Sequence, residues 1–155
     1  MAWYGATNSA VLFVDDDTGI QALVQAYLSV AGIKVETCSS GAEALERLTT
    51  NSVALVVTDY LMPGMDGLTL AKKIDELYPQ IPVLFVTAAR NELVGSGVPD
   101  YAILEKPLDR DRFRDFIRRA LRDTQYTNQI GEIKDETQGI RADVSLLNLS
   151  VQAHL

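Results

Sequence analysis

The chain has 155 residues, 47% of them hydrophobic, and its 21 acids against 14 lysines and arginines give a net charge of −7. That length buries one ordinary core with an appendage, and the composition excludes both a disordered chain and a binder that holds nucleic acid by bulk electrostatics. No apolar run reaches bilayer length, and residues 1–10 lack a basic region ahead of an apolar stretch.

From Ala10 to Arg122 short apolar runs alternate with amphipathic segments. Val11 to Val14 is continuously apolar and ends in acid, as a strand buried on both faces does. Ile20, Leu23, Val24, Tyr27 and Leu28 recur at helical spacing, with Gly32 where a helix stop belongs. A short strand over Lys34–Thr37 follows. Cys38, the one cysteine, excludes an internal disulfide framework and suits a reducing cytoplasm; its expected role is packing near a strand end. Ser40-Gly41-Ala42-Glu43 reads as a capping box opening a helix with Ala44, Leu45 and Leu48 inward.

Val53 to Thr58 is the most buried-looking strand, and it ends on Asp59. Pro63-Gly64 makes a turn, and Asp66 caps a helix carrying Leu70, Ala71, Ile74 and Leu77, stopped by Pro79. Val83 to Val86 predicts a fourth strand ending on Thr87. Only Arg90 to Val94 has helical promise before Gly95, Gly97 and Pro99, so the fourth helix is expected to be stunted. Ala102 to Leu104 predicts a fifth strand, followed by Lys106-Pro107. Asp109 then caps a last helix with Phe113, Ile117, Ala120 and Leu121 inward. Six arginines on that helix, Arg110, Arg112, Arg114, Arg118, Arg119 and Arg122, make either a solvated face or a docking surface for an acidic partner.

Strand and helix alternating five times mean an α/β fold, a doubly wound sheet with helices on both faces. Ligands bind such sheets at the carboxyl ends of the strands, beside a topological switch point. Here those ends carry Asp15-Asp16-Asp17, Asp59, Thr87 and Lys106. Clustered carboxylates repel unless a cation joins them, and a hard divalent ion such as Mg²⁺ or Mn²⁺ suits oxygen ligands. The lysine would supply countercharge for an incoming phosphoryl group, and the threonine a hydrogen bond. Asp17 is the expected N-cap of the first helix.

The set V-D-D-D at 14–17, V-T-D-Y-L-M-P-G-M-D-G at 57–67, V-T-A at 86–88 and E-K-P at 105–107 resembles the receiver domains of two-component response regulators. The resemblance covers about Val11 to Leu121. It implies a flavodoxin-like five-stranded parallel sheet of order 2-1-3-4-5, with residues 1–9 as a lead, 10–122 as the receiver and 123–155 as a mostly helical extension. It further implies that Asp59 accepts a phosphoryl group from a phosphohistidine on a sensor histidine kinase or phosphotransfer protein. Asp16, Asp59 and the Leu61 carbonyl would bind Mg²⁺ directly, Asp15 through water. Lys106 would contact the phosphoryl oxygens, Thr87 would move towards them, and the Lys106-Pro107 bond would be cis. Such a protein is no enzyme beyond catalysing its own phosphorylation and dephosphorylation, and it is expected in the cytoplasm.

The chain departs from that family's pattern at Ile103, where an aromatic switch residue is usual. Tyr101, two residues earlier, either takes over the role or is an ordinary exposed residue. In the tail, Ile130, Ile133, Thr137, Ile140, Val144, Leu147 and Val151 follow coiled-coil spacing, weakened by Gly131 and Gly139. A helix over Ile130–Asn148 pairing with another copy stands beside a linker reading. His154 is too isolated for phosphotransfer, and no direct nucleic-acid or membrane contact is expected. Two rivals remain: a haloacid-dehalogenase-like phosphatase with Asp15 as nucleophile and Asp17 as acid, and a degenerate receiver that never takes phosphate.

Overall fold

A computed structural model describes the backbone of residues 9–133 and the side chains of residues 9–123. Five parallel strands, β1 (Ala10–Val14), β2 (Val35–Cys38), β3 (Val53–Thr58), β4 (Val83–Thr87) and β5 (Ile103–Glu105), form one sheet of order β2-β1-β3-β4-β5. Helices α1 (Thr18–Val30), α2 (Gly41–Thr50), α3 (Gly67–Leu77), α4 (Arg90–Gly95) and α5 (Arg110–Ile133) connect and follow them. The expected fold is therefore observed. β1, β3 and β4 are apolar because helices cover both their faces, and every residue of β1 and β4 is buried.

The helix boundaries follow from local chemistry. Asp17 accepts hydrogen bonds from the Gly19 and Ile20 amides, Ser40 from Glu43, Asp66 from Thr69 and Asp109 from Arg112. Each cap satisfies donors that the first helical turn leaves free, typically worth about 1 kcal/mol. The Glu43 carboxylate returns its bond to the Ser39 amide, one residue earlier than a strict capping box. α1 ends in a Schellman motif. Gly32 adopts φ 76° and donates to the Ser29 carbonyl, while Ile33 donates to that of Leu28.

Phe13, Phe85 and Phe113 are the largest fully buried side chains among the described residues. Phe13 and Phe113 meet edge to face at 6.3 Å, which locks α5 onto β1 beyond the gain from burial alone. The buried face of α5 includes Phe113, Ile117 and Leu121, with Ala120 packed beside them.

Several expectations need correction. β2 starts at Val35 rather than Lys34, and β5 at Ile103 rather than Ala102, because Ala102 closes a 3₁₀ turn over Asp100–Ala102. Tyr101 lies in that turn, with 59% of its surface exposed. Leu77 is 62% exposed, and Leu23 also reaches solvent; at that end of α3 the buried Ile81 and half-buried Tyr78 cover the core. α4 is a single short helix as expected, ending at Gly95. α5 runs on past Arg122, where the receiver was expected to end, to Ile133. The remainder of the proposed tail helix and His154 lie outside the described residues.

Candidate functional site

The sheet register builds the site. Val14 pairs with Thr58 across β1 and β3, so the next residues on each strand, Asp15 and Asp59, emerge side by side. This is the switch point of the sheet, where β1 has β2 on one flank and β3 on the other. The last ladder bonds hold both acids at the rim: the Asp15 amide donates to the Cys38 carbonyl at 3.1 Å, and the Asp59 amide to the Val14 carbonyl at 2.9 Å. On the other side Thr87 pairs with Glu105, and the Lys106 amide donates to the Thr87 carbonyl at 2.9 Å. Four strand ends thus deliver two acids, a hydroxyl and an ammonium to one edge.

Asp15 is 1% exposed and Asp59 8%, while Asp16 faces solvent. One oxygen from each of the three carboxylates lies within 4.8 Å of the others. At an effective dielectric of about 20, two such charges repel by roughly 3–4 kcal/mol. Lys106 offsets part of this: its Nζ donates to Asp15 Oδ2 at 2.8 Å and Asp59 Oδ2 at 3.1 Å. The Asp17 amide donates to Asp15 Oδ1 at 2.9 Å, so both Asp15 oxygens are engaged. Burial pushes the Asp15 carboxyl up from its ordinary range, against the hydrogen bond from Lys106. Burial works against the Lys106 ammonium, but the Asp15 hydrogen bond and the two carboxylate charges outweigh it and hold its pKa up. Three acids around one fixed cation leave an excess of negative charge, and their hard oxygen donors fit a divalent ion such as Mg²⁺.

The other expected site residues stand as follows. Thr87 is buried, and its Oγ1 accepts the Ala89 amide at 3.0 Å. Leu61 lies in the loop after β3 with its side chain exposed. Asp17 is occupied as the N-cap of α1, which leaves the general-acid role of the phosphatase rival unsupported. The Lys106-Pro107 bond is cis. Cys38 is buried, and burial pushes its thiol up to about 12, in keeping with a packing role.

Two residues escaped the motif reading. Gln21 donates from Nε2 to the Asp15 carbonyl at 2.6 Å. Gly67, the first residue of α3, has its Cα so close to the site backbone that an added Cβ would sit 2.1 Å from the Asp59 carbonyl oxygen. The signal for Gly67 was the G ending the 57–67 motif, which marks a close backbone approach; nothing beyond polarity marked Gln21.

The chain is similar in sequence and fold to known proteins. The family model "Response regulator receiver domain" matches residues 11–118. The DNA-binding transcriptional regulator NtrC of Klebsiella pneumoniae is 37% identical over 121 residues, covering 75% of this chain and 25% of that protein. Response regulator Rre1 of Synechocystis sp. is 31% identical over 146 residues, covering 89% of this chain and 62% of its own length. The chain thus spans about a quarter of the first and under two thirds of the second. Among solved structures, a CheY-like receiver domain protein from Methanospirillum hungatei superposes with TM-score 0.67 at 26% identity, over 76% of this chain and 97% of that one. NtrX from Brucella abortus gives 0.74 at 27% identity, over 81% of this chain and 30% of that one. The family model spans residues 11–118, well over half of the chain, and the sheet order fits that fold, so the chain belongs to the response regulator receiver domain family.

Proposed function

We propose that this receiver accepts a phosphoryl group on Asp59 from the phosphohistidine of a sensor histidine kinase or a phosphotransfer protein. An Asp59 carboxylate oxygen attacks phosphorus, the P–N bond breaks, and its electron pair returns to the imidazole. The observation that carries this reading is Lys106 bridging Asp15 and Asp59 at 2.8 and 3.1 Å: a cation beside the nucleophile, ready to pair with phosphoryl oxygens. Asp16 and Asp59, with the Leu61 carbonyl, would hold Mg²⁺ directly, and Asp15 would act largely through water, since both its oxygens already accept hydrogen bonds. When bound, Mg²⁺ supplies positive charge that neutralises the phosphoryl oxygens. Thr87 would exchange its bond from Ala89 for one to the phosphoryl group. The protein would catalyse only its own phosphorylation and dephosphorylation.

The functional unit spans residues 10–122, with residues 123–155 as an extension that favours self-association or partner docking. Output runs through protein contacts, in a cytoplasmic pathway. The net charge of −7 supports the absence of direct nucleic-acid binding within these residues, although NtrC is named a DNA-binding regulator and is far longer than this chain. Intact mass after incubation with acetyl phosphate and Mg²⁺ tests the reading. The expected result is one phosphoryl group gained, lost in Asp59→Asn and without Mg²⁺. Multiple-turnover hydrolysis that is abolished by Asp15→Asn would overturn it.

A further inference from the structure

We infer that Gln21 is a positioning residue for the acidic pocket, clamping the ends of β1 and β2 so that Asp15 and Asp16 stay turned towards Asp59; this rests on the Mg²⁺-binding reading above. Gln21 lies on α1, six residues beyond Asp15. Its Nε2 sits 2.6 Å from the Asp15 carbonyl, 3.2 Å from the Cys38 carbonyl and 3.0 Å from Ser39 Oγ. Two of these partners are carbonyl oxygens, which fixes the amide with its nitrogen towards them. The Cys38 carbonyl is also the acceptor for the Asp15 amide, the last rung between β1 and β2. Gln21 therefore closes the sheet at the point where the chain leaves it to present Asp15 and Asp16.

The pocket needs such a clamp. Three carboxylate oxygens within 4.8 Å push the β1–α1 turn outward before any cation arrives. Lys106 holds the carboxylates of Asp15 and Asp59 but makes no bond to Asp16. A neutral amide restrains the backbone without adding charge that would either repel the metal or add to the carboxylate load. The tether continues outward: Ser39 donates its amide to Glu43, and Ser40 caps α2, so Gln21 joins the pocket to a rigid helix end. Fixing ligands in place before binding lowers the ordering cost of taking up a metal.

Calorimetric titration of the full chain with MgCl₂, at a temperature where every variant is folded by circular dichroism, tests the inference. Gln21→Ala is expected to weaken Mg²⁺ binding about tenfold, and Gln21→Glu, which turns a carboxylate towards two carbonyls, at least as much. Leu48→Ala is the control, since Leu48 is buried near the far end of α2. It should lower the thermal midpoint and leave Mg²⁺ affinity unchanged. Amide exchange at Asp16 and Asp17 should quicken in Gln21→Ala alone. Affinity in Gln21→Ala within twofold of the parent chain overturns the inference, as does an equal loss in Leu48→Ala. A parent chain that binds no Mg²⁺ overturns the proposed function itself.

Discussion

Asp15 carries an electrostatic load that the metal-free fold has to support. It is buried, shares one lysine with Asp59, and burial raises its carboxyl above the unfolded value of 3.8. An acid raised in the folded state contributes stability that is complete below that unfolded value and is lost as pH rises through the folded one. At neutral pH its charge therefore destabilises the metal-free protein. Asp15→Asn keeps the shape, lets Lys106 pair with Asp59 alone, and is expected to stabilise the metal-free chain by on the order of 1 kcal/mol. Urea unfolding across pH should show a flatter decline above pH 3.8 in the variant. A less stable variant at neutral pH would contradict this account. Lys106 follows the same sign in a far more alkaline window, because its raised value keeps its contribution intact below 10.5 and loses it only above. The two effects are separable by pH.

At the scale of elements, the start of α3 and the start of α4 make different demands. Gly67 brings α3 against the backbone of Asp59, and its amide donates to the Tyr60 carbonyl at 2.7 Å. Gly67→Ala forces a methyl group into the Asp59 carbonyl, so either α3 or the acceptor loop must move. A loss of about 3 kcal/mol in urea unfolding is expected, together with slower phosphorylation. A loss below about 1 kcal/mol would mean that the loop yields freely. α4 has no side-chain cap of its own. Arg90 holds its start instead, donating to the Ile103 carbonyl at 3.2 Å and pairing with Asp100. This clamp ties α4 to the turn and strand where an aromatic switch residue is usual and Ile103 stands. Arg90→Ala should cost about 1 kcal/mol or less in global stability, because the Asp100 carboxylate is exposed. Amide exchange over residues 90–99 should nevertheless quicken markedly, and unchanged protection there would remove the clamp.

Across the whole molecule, legibility followed the directness of the chemical signal. The doubly wound sheet was readable because strand and helix periods alternate cleanly, and its acidic rim because acids close apolar strands with no packing reason to be there; the strand order itself came only from the resemblance to receiver domains. The caps at Asp17, Ser40, Asp66 and Asp109 were readable because one polar side chain faces a few local amides. Gln21 was not, since its partners Cys38 and Ser39 are 17 and 18 residues away and depend on how β2 is placed. The fifth strand was started one residue early, at Ala102, because a 3₁₀ turn and a short edge strand abut there.

The central claim is that, of the acids gathered at this rim, Asp59 is the nucleophile. Borohydride reduction of the chain after acetyl phosphate and Mg²⁺ treatment, followed by peptide mass mapping, tests it directly, because hydride converts an aspartyl phosphate to homoserine. The account predicts homoserine at position 59, with Asp15 and Asp16 unmodified. Homoserine at position 15, or at no position despite Mg²⁺ binding, would contradict it.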